Sequence, residues 1–515
     1  MKIAFRADSS EVIGSGHVMR CLTLAENLRE RGADVRFVCR DHAGNLIPLL
    51  EKKGIHTAVL PRPASSKPTK NDYAVWLGVT QATDAAQTVD ALGHERADWL
   101  VVDNYGLSVE WEQRLRPHSS KVLAIDDLAD RRHDCDVLLD QNFSSDGAAR
   151  YAGLVPQTCK PLLGPRYALM HPEFARRRNA LRAHRGSVKR VFVFFGGADP
   201  QNATGLALDA LSGPDFAQLE VDVVVGASNP RRKDIERRCS ARPRTVLHKS
   251  APHLADLLSK ADIAIGAGGA TTWERMCLGV PTLLISIAEN QRPASEALAK
   301  AGLVSYIGPL GQVTPARIAG ALTDLIRDAH ALQELSIRNQ LLVDGLGARR
   351  LTEVMIPTGA ETLHLRPARP DDVVLFYGWA NDAEVRKNAF NTKPIPWSTH
   401  QAWFAGKLRA TGTRIFVLEA NGLPVGQIRF DTEGEELRID YSLDEAVRGR
   451  GWGAHLVAKG IATVRKILPG KICGVVKLEN KASQSVFKRL GFTRGAGPHE
   501  GSAIFSLEST EAHQQ

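Results

Sequence analysis

The sequence predicts an α/β protein in which two parallel-sheet halves are followed by a separate α+β domain. Three observations lead there. The chain has 515 residues, and at roughly 100–200 residues per domain that makes about three folding units. Up to about residue 355, short β-rich runs alternate with longer amphipathic stretches, the pattern of parallel strands with covering helices. Beyond residue 362 the runs become consecutive strands joined by tight turns, which reads as antiparallel sheet.

In chain order, the first half offers strands at Lys2–Arg6, Val35–Cys39, Trp99–Asp103, Lys121–Ile125 and Val137–Leu139, with helical patterns such as His17–Arg31 and Thr80–Gly93 between them. A Pro-containing basic segment, Pro161–Lys189, interrupts the pattern, and a second alternating set follows: Arg190–Phe195, Val221–Val225, Ile263–Ile265 and Thr282–Ile287. Two consecutive α/β halves leave a cleft suited to a nucleotide-linked substrate. A second break, Ile356–Thr362, contains Pro357 and Gly359. After it, Arg414–Ala420, Pro424–Asp431 and Glu436–Leu443 read as antiparallel strands, with Asn421-Gly422 as a hairpin turn. The expected divisions are 1–165, 166–355, a linker at 356–361, and 362–515.

Composition excludes several classes. Hydrophobic residues at 43% and charged residues at 24% are globular proportions, so a disordered or collagen-like chain is excluded. No apolar run approaches the roughly 20 residues of a membrane helix, and the N-terminus has no signal-peptide core. Seven cysteines, an odd number with no CxxC pair, read as reduced cytoplasmic thiols. His133 and Cys135 are close, but no second cluster completes a zinc site. The net charge of +9 is spread along the chain apart from Arg176-Arg177-Arg178 and Arg231-Arg232-Lys233. With no nucleic-acid motif beside them, these runs read as solvated helix faces, and the basic balance suits ligands carrying several phosphates.

Three strand-to-helix turns carry candidate chemistry in the first 355 residues. Ile13-Gly14-Ser15-Gly16-His17-Val18-Met19-Arg20 opens a helix; Gly14 and Gly16 allow close backbone approach, and a helix N-terminus presents N–H groups to an anion. His17 would stand at the cleft mouth, where an imidazole can take a proton from water near neutral pH; the plainer alternative is a histidine satisfied at a helix start. Phe195-Gly196-Gly197-Ala198-Asp199-Pro200 offers amides to a phosphate, or else a turn capped by Asp199 or Asn202. Gly266-Ala267-Gly268-Gly269-Ala270-Thr271-Thr272-Trp273-Glu274 would admit a diphosphate, with Glu274 accepting from ribose hydroxyls, although Thr271-x-x-Glu274 also has capping-box spacing. Ala288-Glu289-Asn290-Gln291 follows a strand and aims polar side chains at the cleft.

These stretches, with Arg6-Ala7-Asp8, Val102-Asp103-Asn104-Tyr105-Gly106 and Gly266–Gly279, occur in the order of a known family. Residues 1 to about 350 resemble the UDP-sugar hydrolase of pseudaminic acid biosynthesis, a hydrolytic relative of GT-B glycosyltransferases and close in architecture to the lipid II-forming N-acetylglucosaminyltransferase. The resemblance implies a GT-B-like pair of Rossmann-like subdomains that releases UDP from UDP-2,4-diacetamido-2,4,6-trideoxy-β-L-altropyranose, with water attacking the anomeric carbon and inverting it. It makes His17 the general base and gives Tyr105 and Asn290 orienting or proton-handling roles. Gly14, Gly16, Gly196, Gly197, Gly268, Gly269, Glu274 and Gln291 are the expected contacts to UDP and sugar. No DxD-like motif is placed at this cleft, so no metal is expected.

The C-terminal part carries Arg448-Gly449-Arg450-Gly451-Trp452-Gly453 between a candidate strand and a helix, a setting for backbone amides to hold a pyrophosphate. An ordinary Gly-rich turn would look the same alone. Arg448-x-x-Gly451-x-Gly453 resembles the pyrophosphate loop of Gcn5-related N-acetyltransferases (GNAT), and Leu478–Phe492, Leu365–Ala368 and Trp379–Arg386 resemble that family's late Asn loop and helix, opening strand and substrate-side helix. The resemblance implies an α+β acetyltransferase domain binding acetyl-CoA through Arg448, Gly449, Arg450, Gly451, Trp452, Gly453, Asn480 and Ser483. Many members have a proton-donating Tyr where this chain has Phe487, and Asp440, Glu419 and Tyr441 are candidates for handling the acceptor's proton.

Together the two resemblances imply a cytoplasmic bifunctional enzyme that acetylates the 4-amino group of a UDP-linked amino sugar and then hydrolyses the product, with no nucleic-acid partner. The alternatives are a glycosyltransferase first half, an acetyltransferase for protein N-termini, and a first half that only binds UDP-sugars and regulates the second.

Overall fold

The computed structural model describes residues 1–63, 73–93, 95–179, 187–226, 229–249 and 254–508. It divides into two compact units, Met1–Thr352 and Glu353–Gln515. Among the described residues, no helix is long and apolar enough to cross a membrane.

The first unit holds two parallel sheets. The N-terminal sheet has seven strands in the spatial order His56–Leu60, Asp34–Arg40, Lys2–Ala7, Ala97–Asp103, Ser119–Ile125, Val137–Asp140 and Lys160–Leu163, every adjacent pair parallel. The order reverses between Lys2–Ala7 and Ala97–Asp103. A crevice forms at the carboxyl ends of the strands flanking such a switch point, because their connections leave in opposite directions. The segments leaving these two ends are Asp8–Ser15, leading into the helix Gly16–Glu30, and Asn104–Gly106.

The second sheet has six strands in the order Thr245–His248, Glu220–Val224, Arg190–Phe194, Ile263–Ala267, Thr282–Ser286 and Ser305–Pro309, again all parallel. Its switch point lies between Arg190–Phe194 and Ile263–Ala267, so the two glycine loops, 195–199 and 266–270, leave the same crevice edge. Val191, Val193, Ile263, Ile265, Leu283 and Ile285 pack on one face; Phe192, Ala264 and Leu284 pack on the other. Burial on both faces explains why these strands read as unbroken apolar runs rather than alternating ones.

The second unit is built on a seven-stranded mixed sheet, ordered His364–Pro367, Thr413–Ala420, Leu423–Glu433, Glu436–Leu443, Lys471–Lys477, Ser502–Leu507 and Thr493–Ala496. The first four strands run antiparallel to one another in turn. The hairpin at Asn421-Gly422 has both residues at positive φ, 49° and 74°, as a type I′ turn requires. Glu436–Leu443 and Lys471–Lys477 are parallel and pair only through Glu436–Arg438 and Lys471–Cys473. Beyond that register the two strands part, opening a notch in the sheet just before residues 448–453.

The contact division at Thr352/Glu353 falls a few residues before the Pro-Gly break at 356–361. The Glu353 carboxylate explains the offset: it accepts from Thr358 N and Thr358 Oγ1, both at 2.6 Å, and from Arg450 at 2.8 Å, tying the end of the helix Gly347–Met355 to the second unit.

Candidate functional sites

At the N-terminal switch point a charged cluster is assembled from four separate stretches of chain. His17 Nδ1 lies 2.6 Å from Asp103 Oδ1. Arg20, one helical turn after His17, donates Nε to Asp103 Oδ2 and Nη2 to Asp103 Oδ1, both at 2.6 Å, and Nη1 to Asp127 Oδ2 at 2.6 Å. Tyr105 donates its hydroxyl to the same Asp127 oxygen at 2.5 Å, and Asn142 donates to the other at 3.0 Å. Asp103 is fully buried, and His17 and Arg20 are 7% exposed. Burial alone would raise the Asp103 carboxyl; Arg20 and His17 outweigh it and hold the group well below the usual carboxylate range. An ionised Asp103 accepts a hydrogen bond from Nδ1–H, which fixes the ring tautomer and leaves Nε2 as the proton-accepting nitrogen. Once His17 is protonated, the same carboxylate stabilises the imidazolium. Burial and the Asp127 charge push the Tyr105 phenol up, so it keeps its proton and serves as a donor.

The helix that carries His17 begins at Gly16; Ser15 at its N-cap makes no side-chain capping bond, and the first turn has no acidic residue. Gly14 sits at φ 81°, where a side chain would be strained. An aromatic wall stands beside His17. The Tyr105 ring meets it edge-on at 4.5 Å and the Trp76 ring at 6.4 Å; Trp76 stacks on Tyr105 at 5.8 Å.

In the second sheet, Asp199 accepts from the amides of Ala203 and Thr204, both at 2.9 Å, so it caps that helix and the Asn202 side chain makes no capping bond. Gly196 takes φ 95°. Gly197 lies so close to Gly226 that a Cβ on Gly226 would come 2.3 Å from the Gly197 carbonyl oxygen. Gly268, Gly269 and Gln291 come together: a Cβ on Gly268 would meet Gln291 Cβ at 3.3 Å, and one on Gly269 would meet Gln291 Nε2 at 3.5 Å. The helix Thr271–Cys277 has Ala270 at its N-cap with no side-chain bond, so Thr271 and Glu274 form no capping box. Glu274 Oε2 is instead closed off from solvent without a hydrogen-bond partner, and burial, only partly offset by Arg275, pushes its carboxyl up to about 7. Asn290 is exposed in the short turn Glu289–Gln291, and no hydrogen bond or ring contact given by the structure joins it to His17 or Tyr105. His133 is held by Glu112 at 2.7 Å, while Cys135 Sγ lies 3.6 Å from Cys159 Sγ.

In the second unit, Gly449 and Gly451 adopt φ 81° and 76°, and Gly451 is the N-cap of the helix Trp452–Val464, with no side-chain capping bond. The first-turn amides of that helix therefore have no side-chain acceptor from the N-cap. Arg448 donates to Leu443 O at 3.1 Å and to Asp382 at 2.7 Å. Arg450 pairs with Glu353 and lies 5.2 Å over the Trp452 ring. Both guanidinium groups thus brace the loop. Trp452 is buried, and a Cβ on Gly453 would touch Val486 at 3.3 Å, so this glycine sets helix packing. Asn480 caps the helix Lys481–Arg489 through Ser483 N at 3.1 Å. Tyr441, on the notch strand, donates to Ser483 Oγ at 3.1 Å; burial pushes its phenol up to about 12. Phe487 is 2% exposed among Phe492, Phe505 and Tyr441, as a core residue.

Residues 362–493 match the family model described as an acetyltransferase (GNAT) domain. The C-terminal unit is a GNAT domain. The chain is also 27% identical over 303 residues to the UDP-2,4-diacetamido-2,4,6-trideoxy-beta-L-altropyranose hydrolase of Campylobacter jejuni, covering 59% of this chain and 97% of that protein. It is 23% identical over 359 residues to the spore coat polysaccharide biosynthesis protein SpsG of Bacillus subtilis, covering 69% and 98%. An uncharacterized protein of Methanocaldococcus jannaschii aligns at 21% identity over 528 positions, 98% of this chain and 100% of that one. The chain therefore joins a unit of two parallel α/β sheets, similar to that hydrolase, to the GNAT domain.

Sequence reasoning named His17 and Tyr105 but missed Asp103, Arg20, Asp127 and Trp76. One signal was legible: Asp103 is an acid closing the buried apolar run Trp99–Val102, at the carboxyl end of a parallel strand.

Proposed function

We propose that the chain is a bifunctional enzyme of nucleotide-sugar metabolism in the cytoplasm. In this reading the GNAT domain acetylates the 4-amino group of UDP-4-amino-4,6-dideoxy-N-acetyl-β-L-altrosamine, and the first unit hydrolyses the resulting UDP-2,4-diacetamido-2,4,6-trideoxy-β-L-altropyranose, a reaction sequence of pseudaminic acid synthesis. The His17–Asp103 pair carries the reading, because it supplies an oriented base at the switch point of a UDP-sugar-hydrolase-like fold. His17 Nε2 takes a proton from water as the water oxygen attacks the anomeric carbon. The bond from that carbon to the diphosphate oxygen breaks, UDP leaves with the electron pair, and the configuration inverts. Glu274 accepts from the ribose hydroxyls, and the Gly268-Gly269 amides receive the leaving diphosphate.

In the GNAT domain, acetyl-CoA supplies the acetyl group as its thioester. The fit is supported by the uncapped helix after Gly451 and by the notch beside it. Residues 449–453 hold the pyrophosphate through backbone amides, and Asn480 fixes the neighbouring helix start. The Tyr441–Ser483 hydroxyl pair returns a proton to the departing thiolate, the role Phe487 cannot fill.

Incubating the full chain with the UDP-linked 4-amino sugar, with and without acetyl-CoA, tests the sequence by mass spectrometry and phosphorus NMR. Free UDP and diacetamido sugar appearing only with acetyl-CoA support both steps and their order. Acetylation without UDP release would make the first unit a glycosyltransferase or a binding module.

A further inference from the structure

Trp76 has no role in the chemistry above, yet it stands in the wall beside the base. It is 8% exposed, its ring centroid lies 6.4 Å from that of His17, and its faces and edges meet Tyr105 and Tyr73 at 5.8 and 4.8 Å. Among the described residues its indole N–H is buried with no acceptor. A buried donor left unpaired is costly and rare, and one beside the candidate base is explained by an acceptor that arrives with the substrate.

We infer that Trp76 is the specificity residue for an N-acyl group on the sugar carbon next to the anomeric centre, its indole N–H donating to the acyl carbonyl oxygen. The inference rests on the hydrolase reading of the first unit for the position of the anomeric carbon. Two features select an acylamino group over a hydroxyl. An indole N–H only donates and a carbonyl oxygen only accepts, and the acyl carbonyl oxygen stands three bonds out from the sugar carbon, whereas a hydroxyl oxygen is bonded to it directly. The rings of Tyr73, Tyr105 and Trp76 also give the acyl methyl an apolar surface, with the charges of Asp103 and Asp127 spent on Arg20, His17 and Tyr105. A site built to donate one buried hydrogen bond discriminates against the analogue lacking the acceptor more strongly than a purely apolar pocket does.

The test is equilibrium binding by calorimetry on the full chain carrying His17→Ala, which prevents turnover, with and without Trp76→Phe. The probes are UDP, the UDP-diacetamido sugar, and its counterpart with a hydroxyl in place of the 2-acetamido group. The expected result is a preference of about ten-fold or more for the acetamido sugar, abolished by Trp76→Phe, which keeps an aromatic ring and removes the N–H. UDP affinity stays unchanged in both proteins and reports an intact fold. An undiminished preference in the Trp76→Phe protein, an equal loss for both sugars, or no preference before the substitution overturns the inference. Binding is read without hydrolysis, so a wild-type protein that prefers the acetamido sugar but releases no UDP refutes the role of His17 and supports that of Trp76.

Discussion

At the scale of single residues, the candidate site of the first unit depends on how one buried carboxylate is shared. Asp103 orients His17 and neutralises Arg20 through both oxygens. His17→Ala removes the base, and UDP release should fall by about 10²–10⁴-fold, measured as kcat with the UDP-diacetamido sugar. Asp103→Asn should reduce kcat comparably, since a neutral amide neither fixes the tautomer nor stabilises the imidazolium. It should also lower Tm, because Arg20 loses a fully buried counter-charge, a change worth about 3–5 kcal/mol. A loss of stability without a loss of kcat would make the pair structural. In the GNAT domain, Tyr441→Phe removes the hydroxyl donated to Ser483. Acetyl transfer should slow by about 10²-fold or more with acetyl-CoA affinity retained; an unchanged kcat would leave the thiolate to solvent. His17 and Tyr105 could be singled out because each sits in a recognisable local stretch. Arg20 and Asp127 were not, because they are 107 residues apart and only the folded sheet makes them neighbours.

At the scale of elements, the glycine loops owe their shape to backbone proximity. The loop after Arg190–Phe194 and the end of Glu220–Val224 meet where Gly226 N donates to Gly197 O at 3.1 Å. A Cβ on Gly226 would face that oxygen, the Gly197 Cα and the Gly197 carbonyl carbon at 2.3–2.8 Å, all main-chain atoms without a rotamer to escape into. Gly226→Ala should therefore destabilise the first unit by about 1–3 kcal/mol and weaken UDP binding by displacing Gly196-Gly197, with acetyl-CoA binding untouched. Calorimetric titration with UDP checks it; unchanged affinity would remove this loop from the nucleotide site. The same scale shows which strands sequence could reveal. Central strands such as Ile263–Ala267 are buried throughout and stand out as apolar runs. The edge strands His56–Leu60, Lys160–Leu163 and Thr245–His248 escaped notice, since Val59 and Val246 are each 52% exposed and Pro161 falls within Lys160–Leu163. An edge strand has one neighbour and one solvated side, so it tolerates polar residues and a proline that a central strand excludes. The basic break expected at Pro161–Lys189 thus begins inside the last strand of the first sheet.

At the scale of the whole molecule, the first compact unit carries two sheets and the second carries one, and each unit has its own candidate site, so each should answer to its own ligand. A ligand that binds only the folded form stabilises it by RT ln(1 + [L]/Kd), about 2.7 kcal/mol at a hundred-fold excess over Kd. UDP should raise the unfolding temperature of the unit 1–352 and acetyl-CoA that of the unit 353–515, seen by calorimetry as two transitions that move separately. A single transition shifted equally by either ligand would mean that the chain unfolds as one cooperative body. Acid should distinguish the units further. In the first, Asp84 joins Arg6 and Arg40, with all three side chains buried. Burial would raise its carboxyl, but the two guanidinium groups lower it from 3.8 to about 2. A carboxyl depressed on folding adds stability that is complete above its unfolded value and is lost as pH falls through its folded one. The shift corresponds to about 2 kcal/mol, so the first-unit transition should drop steeply between pH 4 and pH 2. Asp84→Asn should flatten that contribution while lowering the transition at neutral pH, because both arginines then lose their shared counter-charge. A neutral-pH transition unmoved by Asp84→Asn would show that the Arg6–Asp84–Arg40 network does not anchor the strands Lys2–Ala7 and Asp34–Arg40.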